Sequence, residues 1–374
     1  MERDRARTSL RAPAPAGPAL LAWWDDHRRP LPWRRDRSPY RIWVAEVLLQ
    51  QTRVAQAVPY YERLLRRYPS LRSLAGARTD ELLKLWEGAG YYHRAWNLHA
   101  TAQELVGRQG GRFPRTPAAL EQLPGVGPYI ARAIASLAFG VPVVALEANG
   151  LRVAARLTGE RGDVRTAKVR QRLLRFLEHE LPREAPGAFN EALMELGETV
   201  CTSHAPQCRV CPLGYRCAAF QTLADPGRLP TRRRRPPKPH HVAAIVALER
   251  GGRWLMQRRV EPGLLRGLWE FPGGRPEAGE SLLAAARREL REETGVRAGT
   301  LRPVGTVHHA YSHFSVELHV YRGTVRRASP LPANARWLGP EDIRRHPLPR
   351  ATVKALRLLG IGESLGRSKA RPTR

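Results

Sequence analysis

CTSHAPQCRVCPLGYRC, residues 201–217, holds all four cysteines of this 374-residue chain. Their order is Cys201-x6-Cys208-x2-Cys211-x5-Cys217. The N-terminus shows no apolar core and cleavage site of a secretory signal, so disulfides are disfavoured and metal ligation leads. Zinc modules usually pair two Cys-x2-Cys knuckles, and only Cys208 and Cys211 form one here. Loops of six, two and five residues suit a cubic cluster whose four irons each take one sulfur. On spacing alone, a tetrahedral zinc site stays open.

Upstream of the cysteines the text is helical. YRIWVAEVLLQQTRVAQAVPYYERLLRRY (40–68) and ARAIASLAFG (131–140) place apolar residues three and four apart, with breaks at Gly and Pro. An all-α region is expected over 19–224, behind a disordered basic tail at 1–18. In DPGRLPTRRRRPPKPHH, 225–241, prolines break regular structure and the arginine run repels itself, so this is a linker. The period then changes. HVAAIVALER (241–250) and RWLMQRRV (253–260) read as strands around a Gly-Gly turn. ESLLAAARRELREETG (280–295) is a helix and SVELHVYRGTV (315–325) a strand. A smaller α/β domain is expected over 242–362, with a basic tail at 363–374.

Lys and Arg number 63 against 34 Asp and Glu, a net charge of +29. Such an excess says nothing about fold, but it favours a polyanionic partner. A genome-wide arginine bias is the plainer source of part of it. No apolar run approaches the roughly 18 residues of a membrane-spanning helix, so no membrane role is expected. LPGVGPYIARAI (123–134) sets Gly125-Val126-Gly127 between two helical stretches. Glycines permit close backbone approach, and the following helix presents free N–H groups, which together make a phosphate clamp.

With the cysteine loop, this hairpin makes the chain resemble the helix-hairpin-helix DNA glycosylases that end in an iron–sulfur loop, the endonuclease III superfamily. Within it the chain looks like the MutY-type adenine DNA glycosylases. The likeness runs through LPWRRDRSPYRIWVAEVLLQQTRV (31–54), LWEGAGYYHRAWNLH (85–99) and FNEALMELGETVCT (189–202). The fold class it implies is an all-α helix-hairpin-helix glycosylase domain with a [4Fe-4S] loop, followed by an α/β Nudix-fold domain. It implies that Cys201, Cys208, Cys211 and Cys217 hold a structural [4Fe-4S] cluster. Arg209 and Arg216 on that loop would sit on a DNA phosphate, with Gln51, Thr52 and the hairpin residues Gly125, Val126 and Gly127 also on DNA. Tyr91 would be a wedge inserted beside the lesion. Strand-cutting members carry a lysine directly after the hairpin as Schiff-base nucleophile. This chain has Tyr129 there, which implies base removal without strand cleavage.

Removing a purine needs a proton on the leaving base and an anion near the developing oxocarbenium ion. The base must also leave the stack. Glu46 has Ile42 and Trp43 one turn before it and Leu49 one turn after, an apolar stripe that raises a carboxyl pKa. A surface position is the commoner fate of a glutamate. The resemblance at AEVLLQQT (45–52) makes Glu46 the general acid. Family members place an aspartate in a stretch like DGNVxR. Here LEANGLR (146–152) puts Glu147 in that place, one methylene longer, while Asn149 and Arg152 match. The resemblance further implies that Glu191 supports Glu46, with Trp33, Arg34 and Leu49 lining the adenine pocket.

GGRPEAGESLLAAARRELREETGV (273–296) satisfies the full Nudix pattern. Glu289, Glu292 and Glu293 share one helical face, and with Glu280 they are candidate ligands for Mg2+. In the family this domain reads 8-oxoguanine opposite the target adenine, through a turn matched here by Tyr311-Ser312-His313. The expected function is removal of adenine opposite 8-oxoguanine or guanine. The agent would be a monomer acting on duplex DNA in a bacterial cytoplasm, at the nucleoid. Two alternatives remain: a Nudix pyrophosphohydrolase of oxidised nucleotides carried on a DNA-binding module, and a mismatch-binding protein with weakened catalysis.

Overall fold

A computed structural model of the chain describes residues 15–231, 236–261, 263–325 and 330–361. Expectations for the tail through residue 14, the arginine run 232–235 and the basic tail fall outside the described residues. The chain divides into two compact units, each assembled from two separated stretches. One takes the described residues to Val54 and from Glu104 to Thr231; the other takes Ala55–Gln103 and the described residues from Pro236 on.

The first unit is helical throughout. Its core gathers Leu20 and Trp24 of the Ala16–His27 helix, Val153 and Leu157 of Ala148–Thr158, and Leu173 and Leu177 of Ala167–Glu180. Phe189, Leu193 and Leu196 of the Pro186–Thr199 helix complete it. The first helix begins at Ala16, three residues before the expected Ala19. Pro18 lies in the first turn, where its missing N–H leaves no gap, and Gly17 packs so tightly that a Cβ would lie 2.6 Å from Glu180 O. Glu180 also accepts from Ala16 N, which ties down chain that composition alone reads as tail.

In the second unit a mixed seven-stranded sheet runs β3-β2-β1-β6-β5, with β4 on β1 and β7 on β2. The strands are β1 (His240–Arg250), β2 (Arg253–Arg258), β3 (Trp269–Glu270), β4 (Gly273–Gly274), β5 (Leu301–Ala310), β6 (Ser315–Thr324) and β7 (Ala335–Leu338). Gly251 and Gly252, at φ 55° and 74°, make the tight turn joining β1 to β2, a conformation side chains resist. β1 and β6 pair in parallel over ten positions, while β5 and β6 are antiparallel. The Leu282–Thr294 helix, capped by Ser281, buries Ala285, Ala286 and Leu290 on one face of the sheet. Among the described residues no helix is long and apolar enough to cross a membrane.

Candidate active site

Ser38 caps the Pro39–Leu49 helix by accepting from Arg41 N at 3.3 Å, and Pro39 opens it. Tyr40 and every residue from Ile42 to Leu48 of this helix are buried, and Glu46 is only 5 % exposed. Burial lifts its carboxyl to about 7. A hydrogen bond from Tyr129 Oη to Oε2, 2.7 Å long, opposes the shift, while the charges of Glu191 and Glu147 reinforce it. Tyr129 itself is held far above its ordinary range, first by burial and then by the neighbouring glutamates, and stays a phenol donor.

Glu147 caps the Ala148–Thr158 helix, its Oε1 accepting from Gly150 N at 2.9 Å. Burial raises its carboxyl, and the N–H groups of Asn149 and Gly150 and the charge of Arg152 oppose the rise. The extended segment leading to it is held by Asn190, which is fully buried. Asn190 accepts from Ala145 N and donates to Val143 O, each at 2.9 Å, and to Ser136 Oγ. Asn190 therefore sets the backbone of one candidate carboxylate while its neighbour Glu191 faces the other. Sequence reasoning assigned it nothing; a polar residue beside Glu191 on an otherwise apolar helix face was the available sign.

Trp33, Arg34, Leu49, Glu46 and Glu191 do line one cleft, as the sequence implied. Its charges form a ladder that the sequence did not disclose. Arg34 reaches Glu191 at 3.3 Å and Glu195 at 2.9 Å, and its guanidinium lies 4.3 Å from the centroid of a Trp24 ring. Arg37 meets Glu191 Oε2 at 2.6 Å, and Arg29 bonds both Glu195 and Glu198. Burial pushes Glu195 up, but the bonds from Arg29 and Arg34 outweigh it and hold it below the ordinary range. Glu191 is thereby gripped from two sides with its carboxylate fixed at the cleft.

The four cysteines are free thiols, partly to fully buried, and close enough to perturb one another. Burial first, and then the other thiols, push Cys211 up to about 12, against an N–H donated by Leu213. Two arginines tie the loop to the Ala148–Thr158 helix. Arg152 bridges Asn149 Oδ1 (2.7 Å), Gly197 O (2.6 Å) and Cys201 O (2.8 Å). Arg156, 1 % exposed, donates to Thr202 O (2.6 Å), Leu229 O (2.9 Å), Ser203 O (3.2 Å) and Cys201 Sγ (3.2 Å). Replacing Arg156 by Met should cost about 3 kcal/mol, because several buried carbonyls lose their donors. A fall in Tm of roughly 6–12 °C is the expected reading; an unchanged Tm would show that the loop holds itself. Arg216 departs from the expected phosphate contact. Its fork closes on Glu180 at 2.7 and 3.0 Å and is largely buried, whereas Arg209 is exposed.

Among the described residues, Gln51 (φ 57°) and Tyr91 (φ 48°) are the non-glycine residues with positive φ. Both had been placed on DNA by resemblance, and stored backbone strain of this kind clusters at functional sites. Thr52 follows on the same turn, its N bonded to Leu49 O. Gly125 also has positive φ (71°); Val126 N donates to Leu123 O at 3.1 Å, and Gly127 caps the Pro128–Phe139 helix without a side-chain bond. Within the second unit, Tyr91 meets the expected reading turn: its ring stands edge-on to His313, centroids 6.4 Å apart. A cavity of about 210 Å³ lies between them, bordered by Gly88, Gly90, Tyr91, Tyr311, Ser312 and Arg350.

The Nudix carboxylates converge on a side chain. Arg288 bonds Glu280 (2.9 Å), Glu289 (3.0 Å) and Glu292 (3.0 Å), while Glu293 turns to Gly273 N at 2.8 Å and to Gln257. No group of three or more His, Cys, Asp or Glu among the described residues is arranged to hold a single metal ion. The Mg2+ site expected at Glu280, Glu289, Glu292 and Glu293 thus finds no support among the described residues, where Arg288 bridges three of these carboxylates.

Residues 44–179 match the HhH-GPD superfamily base excision DNA repair protein model, and residues 243–358 match the NUDIX domain model. The adenine DNA glycosylase of Mus musculus is 36% identical, with 91% of this chain and 76% of the mouse protein covered. Its Homo sapiens counterpart is 34% identical, with 91% and 73% covered. Among solved structures, a thermostable thymine-DNA glycosylase is 28% identical with a TM-score of 0.51, over 55% of this chain and 95% of that one.

Proposed function

Because this chain belongs to the adenine DNA glycosylase family, we propose that it excises adenine paired with 8-oxoguanine from duplex DNA, hydrolysing the N-glycosidic bond and leaving the strand intact. One observation carries the reading: a buried carboxyl at Glu46, lifted to about 7 and oriented by Tyr129 Oη on Oε2. That arrangement leaves Oε1 to carry the proton toward the departing base. Glu191, fixed by Arg34 and Arg37, accepts from an amino group of a base in the cleft, with Trp33 and Leu49 against its faces. Glu147 supplies the negative charge for the sugar. Tyr91 wedges into the stack the base has left, Gln51 lies on DNA, and the hairpin N–H groups and Arg209 hold phosphates. The cavity bounded by Tyr91, Tyr311 and Ser312 takes the opposing 8-oxoguanine.

A [4Fe-4S] cluster fits the donor chemistry of Cys201, Cys208, Cys211 and Cys217: four free thiols close enough to perturb one another, with backbone N–H groups and Arg156 directed at sulfur, though among the described residues no three of them are arranged about a single metal ion. It would tie the loop together and takes no part in the proton steps. The diphosphate-hydrolase reading gains no support while Arg288 occupies its carboxylates.

Single-turnover excision on a duplex with adenine opposite 8-oxoguanine, compared with adenine opposite guanine and opposite thymine, tests the reading. No excision from the first duplex would sink it. Its pH profile should be a bell. Above about 7 the rate should fall as Glu46 loses its proton; toward acid it should fall as Glu147, itself raised, gains one. A rate flat from pH 6 to 9 would remove Glu46 as the acid. Borohydride should trap no protein–DNA adduct, since Tyr129 stands where an amine would have to be. Efficient trapping would mean a lysine elsewhere attacks the sugar.

A further inference from the structure

Two walls of the cavity beside Tyr91 come from distant stretches of the chain, and a tryptophan outside the cavity ties them together. One wall is Gly88, Gly90 and Tyr91; another is Leu264 and Leu265. All of these residues lie within the second unit. Tyr91 leads into the His93–Arg108 helix, its carbonyl accepting from Arg94 N at 2.9 Å. Leu264 and Leu265 sit in a tight bend, held by Arg266 N on Gly263 O (3.4 Å) and Leu268 N on Leu265 O (3.1 Å). At the base of the bend Gly267 N donates to Arg259 O at 2.7 Å.

Trp96, half-buried on the same helix as Arg94, grips this bend from outside. Its indole Nε1 donates to Arg266 O at 3.1 Å, and the Arg266 guanidinium carbon lies 4.9 Å from its ring centroid. Gly267, at φ 84°, passes so close that a Cβ would lie 2.8 Å from both Trp96 Cζ2 and Leu83 Cδ1. The conformation and the close approach both call for glycine there. Other bonds dock these helices on the sheet: Asp80 pairs with Arg258 at 2.8 Å, and Lys84 Nζ donates to His346 O at 3.0 Å. Loss of the indole therefore frees the bend without undocking the helices. We infer that Trp96 is a positioning residue for selection of the opposing base, holding Leu264 and Leu265 as the wall that sets that base against the Tyr311-Ser312 side. The inference rests on the reading of this cavity as the seat of 8-oxoguanine. Guanine and 8-oxoguanine differ only at C8 and N7, where a carbonyl and an N–H replace a C–H and an acceptor. Choosing between them needs partners placed to within about half an ångström. A wall that yields by that much keeps the binding and loses the choice.

Single-turnover excision by the full chain and its variants, on adenine opposite 8-oxoguanine and opposite guanine, tests this. The ratio of the two rates, taken on one preparation, does not depend on how much of the protein is folded. A merely structural role for Trp96 would leave it unmoved. Trp96→Leu should lower the ratio about tenfold, through the 8-oxoguanine duplex, while the rate opposite guanine holds within about twofold. Trp96→Phe keeps a ring against Gly267 but has no N–H, and should lower the ratio about threefold, the scale of one lost hydrogen bond. Gly267→Ala attacks the seam from its other side and should shift the ratio in the same direction. A ratio unchanged in Trp96→Leu and in Gly267→Ala, or equal losses on both duplexes, would overturn the proposal and leave the function intact. A parent with no preference for 8-oxoguanine would overturn the base-reading role of the cavity, and this inference with it.

Discussion

Glu46→Gln should lower single-turnover excision by about three orders of magnitude while leaving affinity for the mispaired duplex within a few-fold. The side chain is buried, so glutamine keeps its volume and its bond from Tyr129 but has no proton to give. A second consequence has the opposite sign. Folding raises this carboxyl from its ordinary value to about 7, so the native state binds the proton more tightly than the unfolded chain. Its stability is complete below the ordinary carboxyl range and is lost as pH rises from there through about 7. The loss approaches roughly 3 kcal/mol. Glutamine carries no such dependence. Above pH 8 the inactive variant should therefore melt higher than the parent, and at pH 4 the two should converge. An active variant would disprove the acid; a variant that melts lower at every pH would disprove the burial argument.

Glu147→Gln should reduce excision by about a hundredfold or more, the scale lost when a preorganised charge in a dry site is removed. Glutamine can still cap the Ala148–Thr158 helix through its amide oxygen, so folding should survive. Glu147→Asp is the informative partner. Aspartate is the better cap and retains the charge, yet withdraws it by one methylene. In this chain the longer side chain folds back on Gly150 N, which returns its carboxylate toward the backbone. Aspartate should accordingly retain substantial activity. A glutamine variant as fast as the parent would make Glu147 only a cap.

What could be read from the sequence was whatever local pattern encodes. The Glu46 helix, the two-glycine turn of β1 and β2, and the Nudix helix follow from apolar period and turn chemistry, and all lie where the text placed them. The cleft residues Trp33, Arg34, Leu49 and Glu191 came through resemblance, and they do share a wall. What stayed hidden depends on long-range pairing. Arg216 read as a phosphate ligand, and Arg288 only as one fixed position of the Nudix pattern. Each is taken by carboxylates, Glu180 in the first and Glu280, Glu289 and Glu292 in the second. Net charge cannot reveal such partners, because an arginine on loan to a glutamate counts the same as a free one. Arg156 was missed for a similar reason: its partners are main-chain carbonyls, which no side-chain pattern announces.

The alternation of the chain between its two compact units has a consequence for its birth on the ribosome. Ala55–Gln103 belongs to the unit completed only by residues after the Pro-rich linker. At about 5–20 residues per second, that segment emerges roughly ten to fifty seconds before Arg266, His346 and Leu348, whose carbonyls Trp96, Lys84 and Tyr92 bond. Leu82, Leu83 and Trp86, all essentially inaccessible in the finished protein, spend that interval without their core. Meanwhile the N-terminal helices must find partners past Glu104, across the waiting stretch. Assembly is thus strongly non-local for so helical a chain, and slow by the measure of sequence separation.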